Sequence, residues 1–269
     1  MKPVLITFSF WLSLSAHGAA DDLTERTSSP KTVRLPGMVI DLTNRCVELE
    51  ATVCVNDGLL ELVACTKGSK EHESIFAVSA RAMHLHTGLL AIGANSGHPV
   101  SRNQVPNEDG HWVQVPATGD RIDVALVTRN ASGELIERPI SDCVVASTQR
   151  VDEVDGRVIV APESAASSDS RSPKVFPHQF VFAGSRFRRS ERLVHHYSAD
   201  LSGNLISIAT FGDEVLSLPF SQSQNNAQLS WRANPETLPK RGTKVILRLR
   251  PAPGANRFSS QTDPPQAQR

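Results

Sequence analysis

Apolar and polar residues alternate along much of this chain, and the alternation predicts β-strands. Between residues 46 and 55 every second side chain is apolar, from Val47 to Val55, which is the period of a strand with one buried face. The same pattern returns at 122–126, where turn-forming residues follow and 135–140 is expected to complete a hairpin. Further short strands are predicted later in the chain, at residues 59–65, 180–182, 193–197, 205–211, 215–218, 228–231 and 244–249.

One segment, residues 80–93, has the period of a helix. Ser79 is available as its N-cap and Gly93 stands near its end. Its apolar side chains fall on one stripe, with His86 at the edge of that stripe and His84 well away from it. The residues of the stripe are Ala82, Leu85, Leu89 and Ile92. Many short strands and one helix favour a mainly β (α+β) fold, either a β-sandwich or a half-barrel of short antiparallel strands with the 80–93 helix packed on it.

The N-terminus has the order of features typical of a secretory signal. Lys2 precedes the apolar run 4–14, and small residues follow it up to Ala20. We therefore predict that residues 1–20 are a cleavable signal peptide and that the protein is exported, to the periplasm or the extracellular space. No later stretch of the chain is long and apolar enough to be a transmembrane span, so none is expected in the mature chain.

The composition of the remaining segments predicts their organisation. Residues 21–37 are polar and contain proline, and we expect a flexible leader there. Residues 38–250 are expected to form a single β-rich domain, in which the Ser-, Ala- and Pro-rich stretch 161–174 is an exposed insertion. The segment 251–269, rich in Pro, Gln and Ser, is expected to be a disordered tail.

Charge and cysteine content narrow the partners and the covalent chemistry. Lys plus Arg and Asp plus Glu number 28 each, so nothing attracts the chain in general to nucleic acid, and no nucleic-acid partner is predicted. Disulfides are permitted in an exported chain, and the four cysteines allow three full pairings. If residues 57–58 form a two-residue hairpin turn, Cys54 and Cys65 lie at different levels of the hairpin, too far apart to bond. A looser turn leaves that pairing open.

The densest candidate chemistry lies in residues 65–73, which read Cys-Thr-Lys-Gly-Ser-Lys-Glu-His-Glu. An imidazole followed by a carboxylate suits a divalent transition metal or a proton transfer, and His86 adds a third metal ligand if the helix folds back over the loop. The candidate metal ligands are therefore His72, Glu73 and His86. The candidate ligand-binding residues are Lys67, Lys70, Glu71, His72, Glu73 and His86.

Two other interpretations of this loop stay open. Alternating charges are common in a solvated turn, so the loop is also explained as a structural connection between the sheet and the helix. An envelope hydrolase is the second alternative, with His72 as general base and Glu73 as its orienting carboxylate. That reaction needs a nucleophile or an activated water, and the chain contains no serine-hydrolase elbow, zinc-protease motif, P-loop or dinucleotide fingerprint. We therefore favour a non-catalytic role.

Several stretches resemble the YdjY-domain family of bacterial exported proteins, over about 39–249. The most specific match is Lys-Gly-Ser-Lys-Glu-His-Glu-Ser at 67–74, preceded by Leu-Val-Ala-Cys at 62–65. Weaker matches follow at 86–94, 182–185, 216–219 and 242–245. The resemblance implies no established activity. It does imply a disulfide between Cys54 and Cys65, and it marks Cys46, Cys143 and the 161–174 stretch as departures from the pattern. The positions that it implies to be important are Cys54, Cys65, Lys67, Gly68, Lys70, Glu71, His72, Glu73 and His86.

Together these observations predict an exported domain that binds a metal or another small ligand, or that serves as a structural or interaction module for an envelope protein. In either role the 67–74 loop is the expected centre.

Overall fold

The fold was analysed in a computed structural model. It describes residues 31–104, 112–130, 132–147, 149–151, 158–160, 175–189, 195–222, 224 and 229–253. The strands in this part of the chain are β1 (Thr32–Leu35), β2 (Met38–Asp41), β3 (Cys46–Val53), β4 (Gly58–Leu59), β5 (Leu62–Thr66), β6 (Ser74–Val78), β7 (Ser101–Gln104), β8 (Trp112–Val115), β9 (Arg121–Arg129), β10 (Leu135–Pro139), β11 (Val144–Ala146), β12 (Gln149–Val151), β13 (Val158–Val160), β14 (Gln179–Phe182), β15 (Phe187–Arg189), β16 (His195–Tyr197), β17 (Asn204–Ser207), β18 (Leu216–Ser217), β19 (Trp231–Ala233) and β20 (Lys244–Pro251). The helices are α1 (Ala82–Ala91) and α2 (Ser198–Ser202), with 3₁₀ turns at Glu71–Glu73 and Ile140–Cys143.

Eight of these strands close into a barrel. Their order around it is β3, β20, β9, β14, β18, β17, β5 and β6, and β6 pairs back onto β3. The first half of β3 pairs with β2, while its second half pairs with β6 on the same edge. The predicted mainly β fold is confirmed. The sandwich and half-barrel alternatives are corrected to a closed barrel, because sharing that edge of β3 between two partners joins the sheet to itself.

The barrel core is formed by the inward rows of its long antiparallel strands. Leu247 of β20 lies opposite Leu49 of β3 on one side and Leu126 of β9 on the other, and all three side chains are buried. The next position along β20, Arg248, faces outward and donates to Glu48 at 2.8 Å. This alternation is the periodicity expected of strands with one buried face. The pattern predicted at 46–55 corresponds to β3, and the strand predicted at 244–249 corresponds to β20.

Two neighbouring strands, β5 and β6, do not alternate. They run parallel to each other, and every residue from Leu62 to Cys65 and from Ser74 to Val78 is buried. Strands covered on both faces have continuous apolar sequences. Here the outer cover includes Phe211, which packs against Leu62 and Cys65.

Helix α1 packs across β2 and β3. Its predicted apolar stripe is buried, and Gly88 allows a close approach, since a Cβ atom there would lie 3.3 Å from Met38 and Val47 side-chain atoms. The predicted N-cap Ser79 is wrong, because Arg81 occupies the N-cap position, without a capping hydrogen bond from its side chain. Asp200 of the unpredicted helix α2 instead accepts a hydrogen bond from the Met83 N–H at 3.3 Å.

Two sequence-based expectations about pairing had different outcomes. The hairpin of 122–126 with 135–140 is confirmed by the antiparallel pairing of β9 and β10. A hairpin turn at 57–58 is not formed, because β6 lies between β3 and β5, and Gly58 and Leu59 pair with β19 instead.

Residues 32–35 of the predicted flexible leader form β1, which pairs with β2. The predicted signal peptide at 1–20 and the insertion at 161–174 lie outside the described residues, as does the predicted tail beyond residue 253. None of the helices in the described part of the chain is long and apolar enough to cross a membrane.

Candidate functional site

The 67–74 loop connects two strands that are parallel neighbours in the barrel. Because β5 and β6 run in the same direction, the chain must return along the length of β5 before β6 begins. The Lys67 N–H donates to the Val78 carbonyl at 2.9 Å where the return starts, and the Glu61 N–H donates to the Glu73 carbonyl at 3.1 Å where it ends. Glu71 stabilises the turn by accepting a 2.7 Å hydrogen bond from the Gly68 N–H. Gly68 has a φ of +83°, which glycine adopts without strain.

This return path places the carboxyl group of Glu73 beside that of Glu61. Glu61 is only 8% exposed. Burial raises the pKa of Glu61, and the neighbouring Glu73 carboxylate raises it further. Two adjacent carboxyl groups hold a proton between them more readily than either alone. Glu61 is therefore easier to protonate in the folded protein than in the unfolded chain.

Lys70 and His72 surround the outer carboxylate of this pair. The Lys70 Nζ atom lies 3.7 Å from Glu73 Oε1, and His72 Nε2 lies 3.5 Å from Glu73 Oε2. Lys70 Nζ also lies 3.5 Å from the centroid of the Phe211 ring, in a cation–π contact. The structure thus brings Lys70, His72 and Glu73 together.

Neither Glu61 nor Phe211 was a predicted site residue. Glu61 had a signal in the sequence, since it is the single charge in the apolar run 59–65. Phe211 had no such signal in the sequence, because the turn that contains it lies far along the chain from the 67–74 loop. That turn is held by the buried carboxylate of Glu214, which accepts hydrogen bonds from the Phe211, Gly212 and Asp213 N–H groups. Burial raises the pKa of Glu214.

His86 faces a different part of the molecule. Its Nδ1 atom lies 2.8 Å from the Tyr197 hydroxyl and 3.0 Å from the Gly184 carbonyl oxygen, and its ring packs edge-on against Phe182. Burial lowers the pKa of His86. These contacts fasten α1 to the segment after β14.

The three predicted metal ligands consequently do not converge. His72 has an 80% exposed side chain beside Glu73, whereas His86 is engaged with Gly184 and Tyr197. In the described part of the chain no group of three His, Cys, Asp or Glu side chains is arranged to hold a metal ion.

All four cysteines are free thiols in the structure. Cys65 lies opposite Ala77 on one side of β6, and the Cys54 N–H donates to Ile75 on the other side. Both cysteines belong to the same small apolar cluster outside the barrel. Burial raises the pKa of every cysteine thiol, that of Cys143 to about 12. The Cys54–Cys65 bond stays a prediction.

A cleft of about 870 Å³ opens beside the loop, on the outer face of the barrel. Lys67 and Glu71 line it from the loop side, and Cys54 reaches it from the end of β3. We call this space the Lys67 cleft. Its opposite wall carries Lys244 of β20 and Arg129 of β9, so it holds charged groups from three separate parts of the chain.

The family model of the YdjY domain matches residues 38–250. The chain belongs to the YdjY-domain family. No curated protein and no solved structure matches it. The matched residues of this YdjY domain include the whole barrel, the 67–74 loop and α1, so the family assignment covers every feature of the candidate site.

Proposed function

We propose that this YdjY domain is an exported, non-catalytic module that binds a small molecule in the Lys67 cleft. The observation that carries the proposal is that Lys67 and Glu71, from the loop with the most specific family motif, form one wall of this cleft. Its volume of about 870 Å³ lies within the usual range of small-molecule sites, roughly 300–1,000 Å³. Export is inferred from the order of charge and apolar residues at the N-terminus.

The charges around the Lys67 cleft favour a zwitterionic ligand. Three cationic side chains line it, Lys67, Lys244 and Arg129, together with two carboxylates, Glu50 and Glu71. Apolar side chains lie between them, those of Ala77, Val127 and Val245 among others. An amino acid or a short peptide matches this arrangement, because its carboxylate can bind the cations while its ammonium group faces the glutamates.

The surroundings of His72 favour binding over hydrolysis. A general base must reach the proton of a nucleophile, yet no hydrogen bond in the described residues joins His72 to a serine or cysteine side chain. The contact of His72 with Glu73 is an ordinary exposed ion pair when the imidazole is protonated. The hydrolase alternative therefore has no specific contact in its favour.

Calorimetry with the full chain tests the proposal. The probes are glutamate, the dipeptide Ala-Ala and, as a comparator without an ammonium group, succinate. Wild type is compared with Lys67→Ala and with the matched variant Lys31→Ala, which removes an exposed lysine outside the cleft. We expect a zwitterionic probe to bind wild type and Lys31→Ala, and to bind Lys67→Ala about tenfold more weakly. Equal affinity for Lys67→Ala, or no binding of any zwitterion, contradicts the proposal.

A further inference from the structure

A second cleft, of about 660 Å³, lies on another side of the molecule and is rich in arginine. Its walls are strands β7 and β8, the segment leading into β15, and residues 210–212, 221, 222 and 224. Arg102 comes from β7, while Arg186 and Arg188 come from the β15 wall. We call this space the arginine cleft.

Among the described residues, the lining of the arginine cleft contains three guanidinium groups and no carboxylate. None of the ion pairs between described residues involves Arg102, Arg186 or Arg188, whereas Arg81 pairs with Asp200 at 3.0 Å. Like charges that converge without counter-charges repel one another, so an anion that enters the cleft is attracted by all three.

The walls of the cleft are held together by hydrogen bonds. The Gln114 side-chain amide donates to Ser221 Oγ at 2.6 Å. This hydrogen bond joins β8 to the wall that contains Ser221. The Thr210 N–H donates to the Gln222 carbonyl at 3.0 Å, and the Gln222 N–H donates back to Thr210 Oγ1 at 3.0 Å. Polar groups positioned in this way bind a ligand with little loss of conformational entropy.

Arg186 is oriented by the backbone. Its Nη2 atom donates to the Val100 carbonyl oxygen at 2.7 Å, which fixes the plane of the guanidinium while other N–H groups stay available. A planar guanidinium matches two oxygens of one phosphate group at once. Serine, threonine and glutamine side chains complete the lining and can donate hydrogen bonds to other oxygens of the same phosphate group. These residues are Ser101, Gln114, Thr210, Ser221, Gln222 and Gln224.

We propose that the arginine cleft is a binding site for a small phosphate-bearing anion. The balanced charge of the whole chain, 28 cationic and 28 acidic residues, argues against a long polyanion, because the chain as a whole has no excess of positive charge to attract one. The site is separate from the Lys67 cleft, since the two share no lining residue.

Calorimetry on the full chain tests this site with inorganic pyrophosphate, orthophosphate and ribose 5-phosphate. Citrate serves as a carboxylate anion for comparison. We expect pyrophosphate to bind wild type more tightly than citrate, with an affinity that falls as NaCl is raised. Tighter binding of ribose 5-phosphate than of pyrophosphate identifies an organic phosphate ester as the ligand class, and the reverse order identifies free inorganic phosphates.

The variants Arg102→Gln and Arg188→Gln are each expected to weaken pyrophosphate binding about tenfold. Arg186→Lys keeps the charge but loses the planar group, and is expected to bind more weakly than wild type. Arg34→Gln, which removes an exposed arginine on β1, should bind as wild type does. Melting curves verify that each variant is folded. The proposal is overturned if no phosphate probe binds, if citrate binds equally well, or if the cleft variants that fold bind like Arg34→Gln.

Discussion

The carboxyl groups of Glu61 and Glu73 lie side by side, where the chain returns along β5 to begin β6. The Glu61 N–H donates to the Glu73 carbonyl at 3.1 Å, so the backbone itself holds the two residues together. The arrangement costs free energy at neutral pH, since two like charges share a partly desolvated site.

Replacing Glu61 by glutamine should stabilise the protein at neutral pH. The pKa of Glu61 is raised in the folded state, first by burial and then by Glu73, so the folded protein binds this proton more tightly than the unfolded chain. The resulting stabilisation is complete below the unfolded pKa of about 4.5 and is lost as pH rises through the raised folded pKa. At pH 7 we expect Glu61→Gln to be more stable than wild type, because the amide carries no charge beside the Glu73 carboxylate.

Urea unfolding of wild type and Glu61→Gln from pH 4 to pH 8 measures this difference. Glu236→Gln is the control, because Glu236 is exposed. A stability difference between wild type and Glu61→Gln that does not grow with pH would show that Glu61 ionises in the fold as it does in the unfolded chain.

The two histidines of the predicted metal site should differ sharply in their effect on stability. His72→Ala removes a side chain that is 80% exposed, and we expect a change within about 0.5 kcal/mol. His86→Ala removes the hydrogen-bonded contacts of Nδ1 with Tyr197 and Gly184 and the ring packing against Phe182, which should cost about 1–3 kcal/mol. Thermal unfolding of both variants checks this. A large loss in His72→Ala would instead support a structural role for the loop histidine.

The family resemblance implies a disulfide between Cys54 and Cys65 under oxidising conditions. The two residues lie on either side of β6, about two strand spacings or roughly 10 Å apart in the backbone, so the bond requires the chain after β3 to move toward β5. Because burial raises the pKa of both thiols, oxidation by a disulfide reagent should accelerate as pH is raised. The bond should stabilise the oxidised form by less than the roughly 3 kcal/mol of an unstrained disulfide, because the backbone shift costs free energy.

Peptide mapping by mass spectrometry identifies the bond, and thermal unfolding of oxidised Cys54→Ser measures its effect. Cys46→Ser serves as the matched control. A linked peptide that contains Cys46 or Cys143 in place of Cys65 would refute the expected pairing.

The turn at 211–213 should depend on the buried carboxylate of Glu214. One oxygen of this side chain accepts three backbone hydrogen bonds, from Phe211, Gly212 and Asp213. Glu214→Ala leaves these donors without a partner, and we expect a loss of about 3 kcal/mol. Glu214→Gln keeps an accepting oxygen and should lose less. Hydrogen exchange of the three N–H groups reports the effect directly, and equal protection in both variants would contradict this account.

Several elements could be predicted because neighbouring residues in the sequence determine them. The alternation of apolar and polar residues around Leu49 and Leu247 predicts two strands, whichever partners those strands have in the sheet. The apolar stripe that contains Leu85 and Leu89 predicts α1. The charge density of the 67–74 loop likewise predicted a candidate site there, and Lys67 and Glu71 of this loop line the Lys67 cleft.

Pairing across the fold could not be predicted in this way. Glu48 and Arg248 interact across 200 positions of the chain, and no local period encodes such a contact. The insertion of β6 between β3 and β5 removed the expected hairpin and placed Cys54 and Cys65 on either side of one strand.

The sequence by itself determined that the chain is β-rich, that it has one amphipathic helix and that its candidate chemistry centres on one loop, because each property depends on residues close together in the chain. Only the tertiary structure decided that the barrel closes, that Glu61 joins Glu73 and that His86 faces Tyr197. The physical reason is that burial, charge pairing and strand order depend on which distant segments pack together, and that choice is made by the whole core.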